Sequence, residues 1–434
     1  MTHPTRLTLS AGLAAIALAG PAPAENRIDV VRPDAPALAP YGAYPIGVRT
    51  MTFTDPDRID ILNVTDDAIP TYDRPLTVEM WYPAAEGTTG GTTYETVIRD
   101  GKTATKLEGR AARDAAPASG EAFPLIVISH GYPGNRMLMS HLGENLASKG
   151  YVTVSIDHTD STYSDQAAFG STLLNRPLDQ RFVVDQMGNA DVIGADLAAI
   201  TNTDVTGVIG YSMGGYGVMI YGGAGVTQGS TEYSWGTPRG LLAEHLAGSD
   251  THKELTNDPR IKAMIAIGPW GRNTAFWDAE GMSGFSRPLM LMAGGVDDVS
   301  VYGAIRSIFE ETTGTDRHLL TFQNANHNAA APMPAPAEAW NVADGLSPYD
   351  HYSDAVWDNR RMNNITQHFA TAFMDTHLKS DADKAMYLDL TQNAGEGVFS
   401  MNEDGTPKED HTYWEGFAAR TAHGLSFESK AKGE

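Results

Sequence analysis

The chain is 434 residues long, with 41% hydrophobic and 20% charged residues and a formal net charge of −23. That length and balance fit a folded globular protein and exclude a disordered one, while the acidic excess disfavours nucleic acid and anionic membrane surfaces as partners. Cysteine is absent, which excludes disulfides, thiolate nucleophiles and cysteine metal sites and leaves stability to the core.

Residues 1–24 carry Arg6, an apolar run from Leu7 to Gly20 and an Ala-x-Ala close. This pattern predicts a signal peptide cleaved after Ala24 and an exported product, periplasmic or extracellular. The run is short for a membrane span, and no later stretch reaches about 20 apolar residues, so no stable membrane insertion is expected. Residues 25–45, rich in Pro and Ala, read as an extended lead-in, followed by a main domain over 46–390. "IGVRTMTFTD" and "LTVEMWYPA" read as strands, and the polar, Gly-rich stretch 87–121 reads as a surface loop.

From Phe123 the texture changes to short apolar runs alternating with helical spacing. "FPLIVISHG", "YVTVSID", "DVTGVIGY", "IKAMIAIGP", "PLMLMAGG" and "HLLTFQ" are buried-strand candidates. Helices are expected between them at "MLMSHLGENLASKG", "PLDQRFVVDQM", "ADVIGADLAAI", "GGYGVMIYGGA" and "VYGAIRSIFEET". This alternation predicts an α/β fold, a mostly parallel central sheet with helices on both faces. Two segments, 222–258 and 329–352, break the rhythm and read as lid-like insertions. A helix is expected over 353–378, and residues 391–434 form a tail of uncertain order.

Gly210-Tyr211-Ser212-Met213-Gly214 lies where an apolar strand meets a helix. That context fits a nucleophilic serine on a tight turn, with flanking glycines because side chains there would clash. The alternative is a small residue in a glycine-rich bend. A nucleophile needs an acid and a histidine at later strand ends, in that order. Asp297 follows "PLMLMAGG", with Asp298 as the less favoured neighbour, and His327 follows "HLLTFQ". A histidine can take the serine proton and return it to the leaving group near neutral pH, so activity is expected to fall on acidification. Backbone N–H groups of Met213 and of Tyr132, in the loop "SHGYPG", would form an oxyanion hole. His130 in that loop reads as a loop-holding residue rather than a second base.

Five ordered motifs, "VISHGYPGNRMLMSHLGENLASKGYVTVSIDHTD", "NRPLDQRFVVDQM", "GYSMGGYG", "DPRIKAMIAIGPW" and the Asp297 and His327 loops, resemble the bacterial dienelactone-hydrolase-like serine esterases. Those are related to platelet-activating-factor acetylhydrolases and to bacterial cutinases and polyester hydrolases. "YGAYPIGVRTMTFTDPDR" and "MWYPA" resemble the acetylhydrolase-like branch in particular. The resemblance covers about residues 40–385 and implies an α/β-hydrolase fold with Ser212, Asp297 and His327 as a catalytic triad. It also implies Tyr132 and Met213 as oxyanion donors and Trp270, beside Tyr132, as a substrate-binding aromatic.

The expected function is an exported serine carboxylic ester hydrolase acting on a small-molecule or polymeric ester, with no cofactor and no metal. Alternatives are a polyester, cutinase-like or lipid-type ester hydrolase, and, in another class, a non-catalytic binding protein on the same fold. Trp235 and Trp340, in the two insertions, are further aromatic candidates for the site. The cysteine nucleophile of true dienelactone hydrolases is missing, as is the C-terminal disulfide common in polyester hydrolases.

Overall fold

A computed structural model of the chain describes residues 26–167, 169–341 and 348–434. The expected signal segment and positions 342–347 of the second insertion lie outside the described residues. The elements that position the site are β1 (Ile46–Ile59), β2 (Thr71–Pro83), β3 (Thr93–Val97), β4 (Ala104–Glu108), β5 (Phe123–Ser129), α1 (Ser140–Ala147), β6 (Val152–Asp157) and α2 (Phe169–Met187). They continue with β7 (Thr201–Tyr211), α3 (Met213–Tyr221), β8 (Ile261–Ile267), β9 (Leu289–Gly294), α4 (Tyr302–Glu311), β10 (Arg317–Phe322), α5 (Asn359–Leu378) and β11 (Leu425–Lys430).

The main sheet runs β11-β10-β9-β8-β7-β5-β6-β2-β1, with the short pair Ala112–Arg113 beyond β1. Its centre, from β10 to β6, is parallel. The flanks β6-β2, β2-β1 and β10-β11 are antiparallel. The central strands read as unbroken apolar runs because both faces are covered. In β8, Ala263, Ile265 and Ile267 enter one core with α1 and α5. Met264 and Ala266 enter the other, with α2, α3 and α4.

Three sequence expectations change. The stretch 87–121, expected as a loop, holds the β3–β4 hairpin. Its Tyr94 and Leu107 point inward from otherwise polar strands, so a period of two was hidden by polar composition. The helix expected from 353 starts at Asn359, where the Asp358 side chain caps the N–H of Arg361. The tail, expected to be of uncertain order, supplies edge strand β11 and buries Trp414 and Phe427 in the first core.

Among the described residues no helix is long and apolar enough to cross a membrane, and no group of three or more His, Asp or Glu side chains could hold a metal ion.

Candidate active site

Ser212, Met213, Asp297, His327, Tyr132 and Trp270 stand just past the carboxyl ends of parallel strands, where such sheets form their clefts. The turn from β7 into α3 holds Ser212 at φ 53°, ψ −112°, a backbone conformation that L side chains rarely adopt and that costs about 1–3 kcal/mol. The surroundings enforce it. A Cβ on Gly210 would lie 2.2 Å from the Gly214 carbonyl oxygen, and one on Gly214 would lie 2.0 Å from that of Ser129. Only glycine fits either position. Ser212 N–H is tied to the Ile267 carbonyl at 2.8 Å, and Trp270 N–H to the Ser212 carbonyl at 3.2 Å, so β8 and its loop fix the turn.

The His327 ring bridges Ser212 and Asp297. Its Nε2 is 3.0 Å from Ser212 Oγ and its Nδ1 is 2.8 Å from Asp297 Oδ2. The carboxylate can only accept, so Nδ1 carries the proton and Nε2 is free to take the serine hydrogen. Asp297 Oδ1 accepts the backbone N–H groups of Val299 and Ser300 at 2.9 and 2.8 Å, which fixes the carboxylate plane. Asp298, the alternative acid, is exposed and points along the cavity wall instead. The site is closely packed but not sealed: Ser212 is 7% and His327 9% exposed.

A cavity of about 360 Å³ opens over these groups, lined by Gly131, Tyr132, Ser212, Asp298, His327 and His351 among others. Neither the N–H of Tyr132 nor that of Met213 meets an acceptor in the described residues. Met213 is the first residue of α3, where helical N–H groups have no partner of their own and the helix dipole favours negative charge. His130 holds the loop as expected. Its Nδ1 donates to the Gly131 carbonyl at 2.7 Å and its Nε2 accepts the His158 N–H. Burial holds its pKa well below the usual histidine value, so the ring is neutral.

Trp270 packs with Phe169, Tyr216, Trp235 and Phe276, and Phe169 in turn meets Tyr132 edge-on at 5.0 Å. Trp235, from the first insertion, is half-exposed over this cluster. Trp340 is elsewhere: it lines a separate hollow with Asn26, Pro334 and Arg360. The second insertion reaches the cavity through Asp350 and His351.

Sequence reasoning missed several supports. Gly268 leaves room for the dyad, since a Cβ there would sit 3.3 Å from both Asp297 Oδ2 and His327 Cε1. Ser300 Oγ donates to the Gly268 carbonyl at 2.7 Å. Tyr211 lies along the His327 ring and donates to Asn328, whose amide in turn binds the Asp350 and Ser353 carbonyls. "GYSMG" and "GPW" placed Tyr211 and Gly268 within the motifs, but nothing in their spelling marks a packing role.

A second Ser-His-Asp line is present. Ser129 Oγ is 2.8 Å from His158 Nε2, and His158 Nδ1 is 2.9 Å from Asp179 Oδ2. All three are buried to 1% exposure or less. Asp179 is further held by Arg74 at 2.9 Å, and burial drives the His158 pKa down to about 3. With no room for a substrate, this line is a buried scaffold beneath the Ser129–Tyr132 loop.

Comparison with known proteins shows what the chain is similar to. The family model for platelet-activating factor acetylhydrolase, isoform II, matches residues 40–181. A cutinase of Thermobifida alba is 24% identical over 215 residues, which take in 49% of this chain and 56% of the cutinase. The chain thus spans little more than half the length of that relative. The structure of a ferulic acid esterase from Streptomyces cinnamoneus superposes with a TM-score of 0.53 and 19% identity, covering 80% of this chain and 94% of the esterase.

Proposed function

Starting from an α/β-hydrolase-type chain that is platelet-activating-factor-acetylhydrolase-like and cutinase-like, we propose that it is a serine carboxylic ester hydrolase working through an acyl-enzyme. The observation that carries the reading is the hydrogen-bonded line Asp297–His327–Ser212 opening on a cavity. Ser212 Oγ attacks the ester carbonyl carbon while His327 Nε2 takes its proton. The carbonyl electron pair moves to oxygen, where the N–H groups of Tyr132 and Met213 receive it. Collapse of this intermediate expels the alcohol, which takes the proton back from His327. Water then repeats the sequence on the acyl-enzyme and releases the acid. Asp297 holds the imidazole and offsets its positive charge while protonated.

Export belongs to the same proposal and rests on the pattern of residues 1–24. N-terminal sequencing of the mature protein tests it, with Glu25 as the expected first residue.

The acyl range follows from the insertions. Trp235 stands over Trp270 and Phe169, and Asp350 and His351 wall the cavity, which favours a short or compact acyl group. Initial rates on p-nitrophenyl esters from acetate to palmitate, with Ser212→Ala as control, test the reading. Turnover confined to short esters is expected, and turnover reaching the long ones would point to lipid or polyester substrates. Turnover equal in native protein and Ser212→Ala would sink the assignment.

A further inference from the structure

The motif "NRPLDQRFVVDQM" supplied a helix to the fold, but its arginine has a more specific position. Arg176, on α2, is 1% exposed. Among the described residues no carboxylate touches its guanidinium. Nη1 donates to the His130 carbonyl, and Nη2 to the Gly131 carbonyl at 3.4 Å and to Ser161 Oγ. A buried cation held by two carbonyl oxygens and a hydroxyl, with no carboxylate in contact, is costly to desolvate. Asp179, one turn further along α2, offsets it from a distance. Burial lowers its pKa to about 9, which still leaves it charged at neutral pH.

The two carbonyls belong to the loop that faces Ser212. A Cβ on Gly131 would lie 3.2 Å from Ser212 Cβ. The Gly131–Tyr132 peptide is trans, so its C=O and N–H point in opposite directions. Arg176 and His130 Nδ1 both hold the Gly131 oxygen, and the Tyr132 N–H is thereby turned away from them. A cation on a peptide oxygen also polarises that peptide and makes its N–H a stronger donor.

We propose that Arg176 is a positioning residue of the oxyanion hole: it aims and polarises the Tyr132 N–H through the Gly131 peptide, and stabilises the transition state without touching substrate. The Ser129–His158–Asp179 line supports the same loop from below, since the His158 N–H donates to His130. This inference rests on the esterase reading above.

The test compares Arg176→Met and Arg176→Lys with native protein, using p-nitrophenyl acetate as substrate and 2,2,2-trifluoroacetophenone as inhibitor. Ser212 Oγ adds to the ketone carbon, its proton passes to His327, and the hemiketal oxyanion occupies the hole, so inhibition reports the hole directly. An oxyanion donor that is lost typically costs about 10²–10³-fold in kcat. Arg176→Met is therefore expected to lose about 10²-fold in kcat with KM within about threefold, and Arg176→Lys about 10-fold. The inhibition constant should weaken in step with kcat in both.

A folded variant with kcat within about threefold of native overturns the proposal. So does a fall in kcat that leaves ketone inhibition unchanged, because a mis-aimed or weakened Tyr132 N–H must also bind the hemiketal anion less well. If Arg176→Met does not fold, Arg176→Lys is judged by the same criteria. Absence of Ser212-dependent turnover in native protein would instead remove the esterase reading, and this inference with it.

Discussion

At Ser212 a strained backbone, two obligate glycines and a strand-end loop converge on one hydroxyl, and the same geometry separates two neighbouring aspartates. Asp297 gives one oxygen to His327 and the other to two backbone N–H groups, whereas Asp298 is exposed. Asp297→Asn keeps the shape but can present an N–H to Nδ1, which favours the wrong histidine tautomer. It is expected to lower kcat by about 10³–10⁴-fold. Asp298→Asn should change kcat by less than about 10-fold, since it neither touches the imidazole nor fixes the loop. Steady-state rates of the two variants check this, and equal losses would move the acid role away from Asp297. Ser212, Asp297 and His327 were legible because a serine, acid and histidine line on a parallel sheet follows a set order along the chain and sits at strand ends. Arg176 and Gly268 were not, because they act through backbone carbonyls and empty space, and neither leaves a mark on residue spacing. The buried Ser129–His158–Asp179 line shows the converse: hydrogen-bond order alone does not distinguish a reactive group from a scaffold, and access does.

The helices on which these residues ride carry their own constraints. In α2, Pro177 has no N–H for the carbonyl of Leu173 four residues earlier. The Tyr216 hydroxyl, on α3, donates to that oxygen at 3.1 Å. His245, from the first insertion, donates to the next carbonyl, Leu174, at 2.8 Å. The proline therefore does not break the helix. It opens a polar seam that docks the helix following Ser212. Tyr216→Phe would leave the Leu173 carbonyl buried and unpaired, at a cost of about 1–3 kcal/mol. Thermal unfolding checks this, and an unchanged Tm would show that the seam is not needed. The parallel strands were readable as apolar runs, and their helices as the spacers between them. The β3–β4 hairpin and β11 were not, because half of each strand faces solvent and short polar strands look like loops when only composition is weighed.

Across the whole molecule, buried histidines fasten the peripheral segments to the core. His141 on α1 donates to Ala331 of the second insertion. His245 ties the first insertion to α2, and His368 on α5 accepts the Leu38 N–H of the lead-in. Burial pushes their pKa values down to about 4, 4 and 3, and that of His158 to about 3. In the unfolded chain each would titrate near about 6.5. Between these limits the unfolded state binds protons that the folded state refuses, so stability rises with pH through the window. The full contribution is present above about 6.5 and is lost on acidification toward 4. Each histidine contributes about 1.4 kcal/mol per pH unit there, and four together about 5.5 kcal/mol per pH unit. Against a total stability of about 5–15 kcal/mol for a typical domain, that slope predicts cooperative unfolding near pH 5, before most carboxylates titrate. Denaturant unfolding at about pH 7.5, 6.5 and 5.5 measures it. A loss of several kcal/mol over the last step is expected, whereas a flat profile would mean that these rings take up protons in the folded state. Because the same rings hold both insertions in place, acid should loosen the walls of the cavity along with the fold. Activity and stability should therefore decline over overlapping ranges of pH, and an activity loss complete before any loss of stability would separate the acid limb of activity from these buried rings.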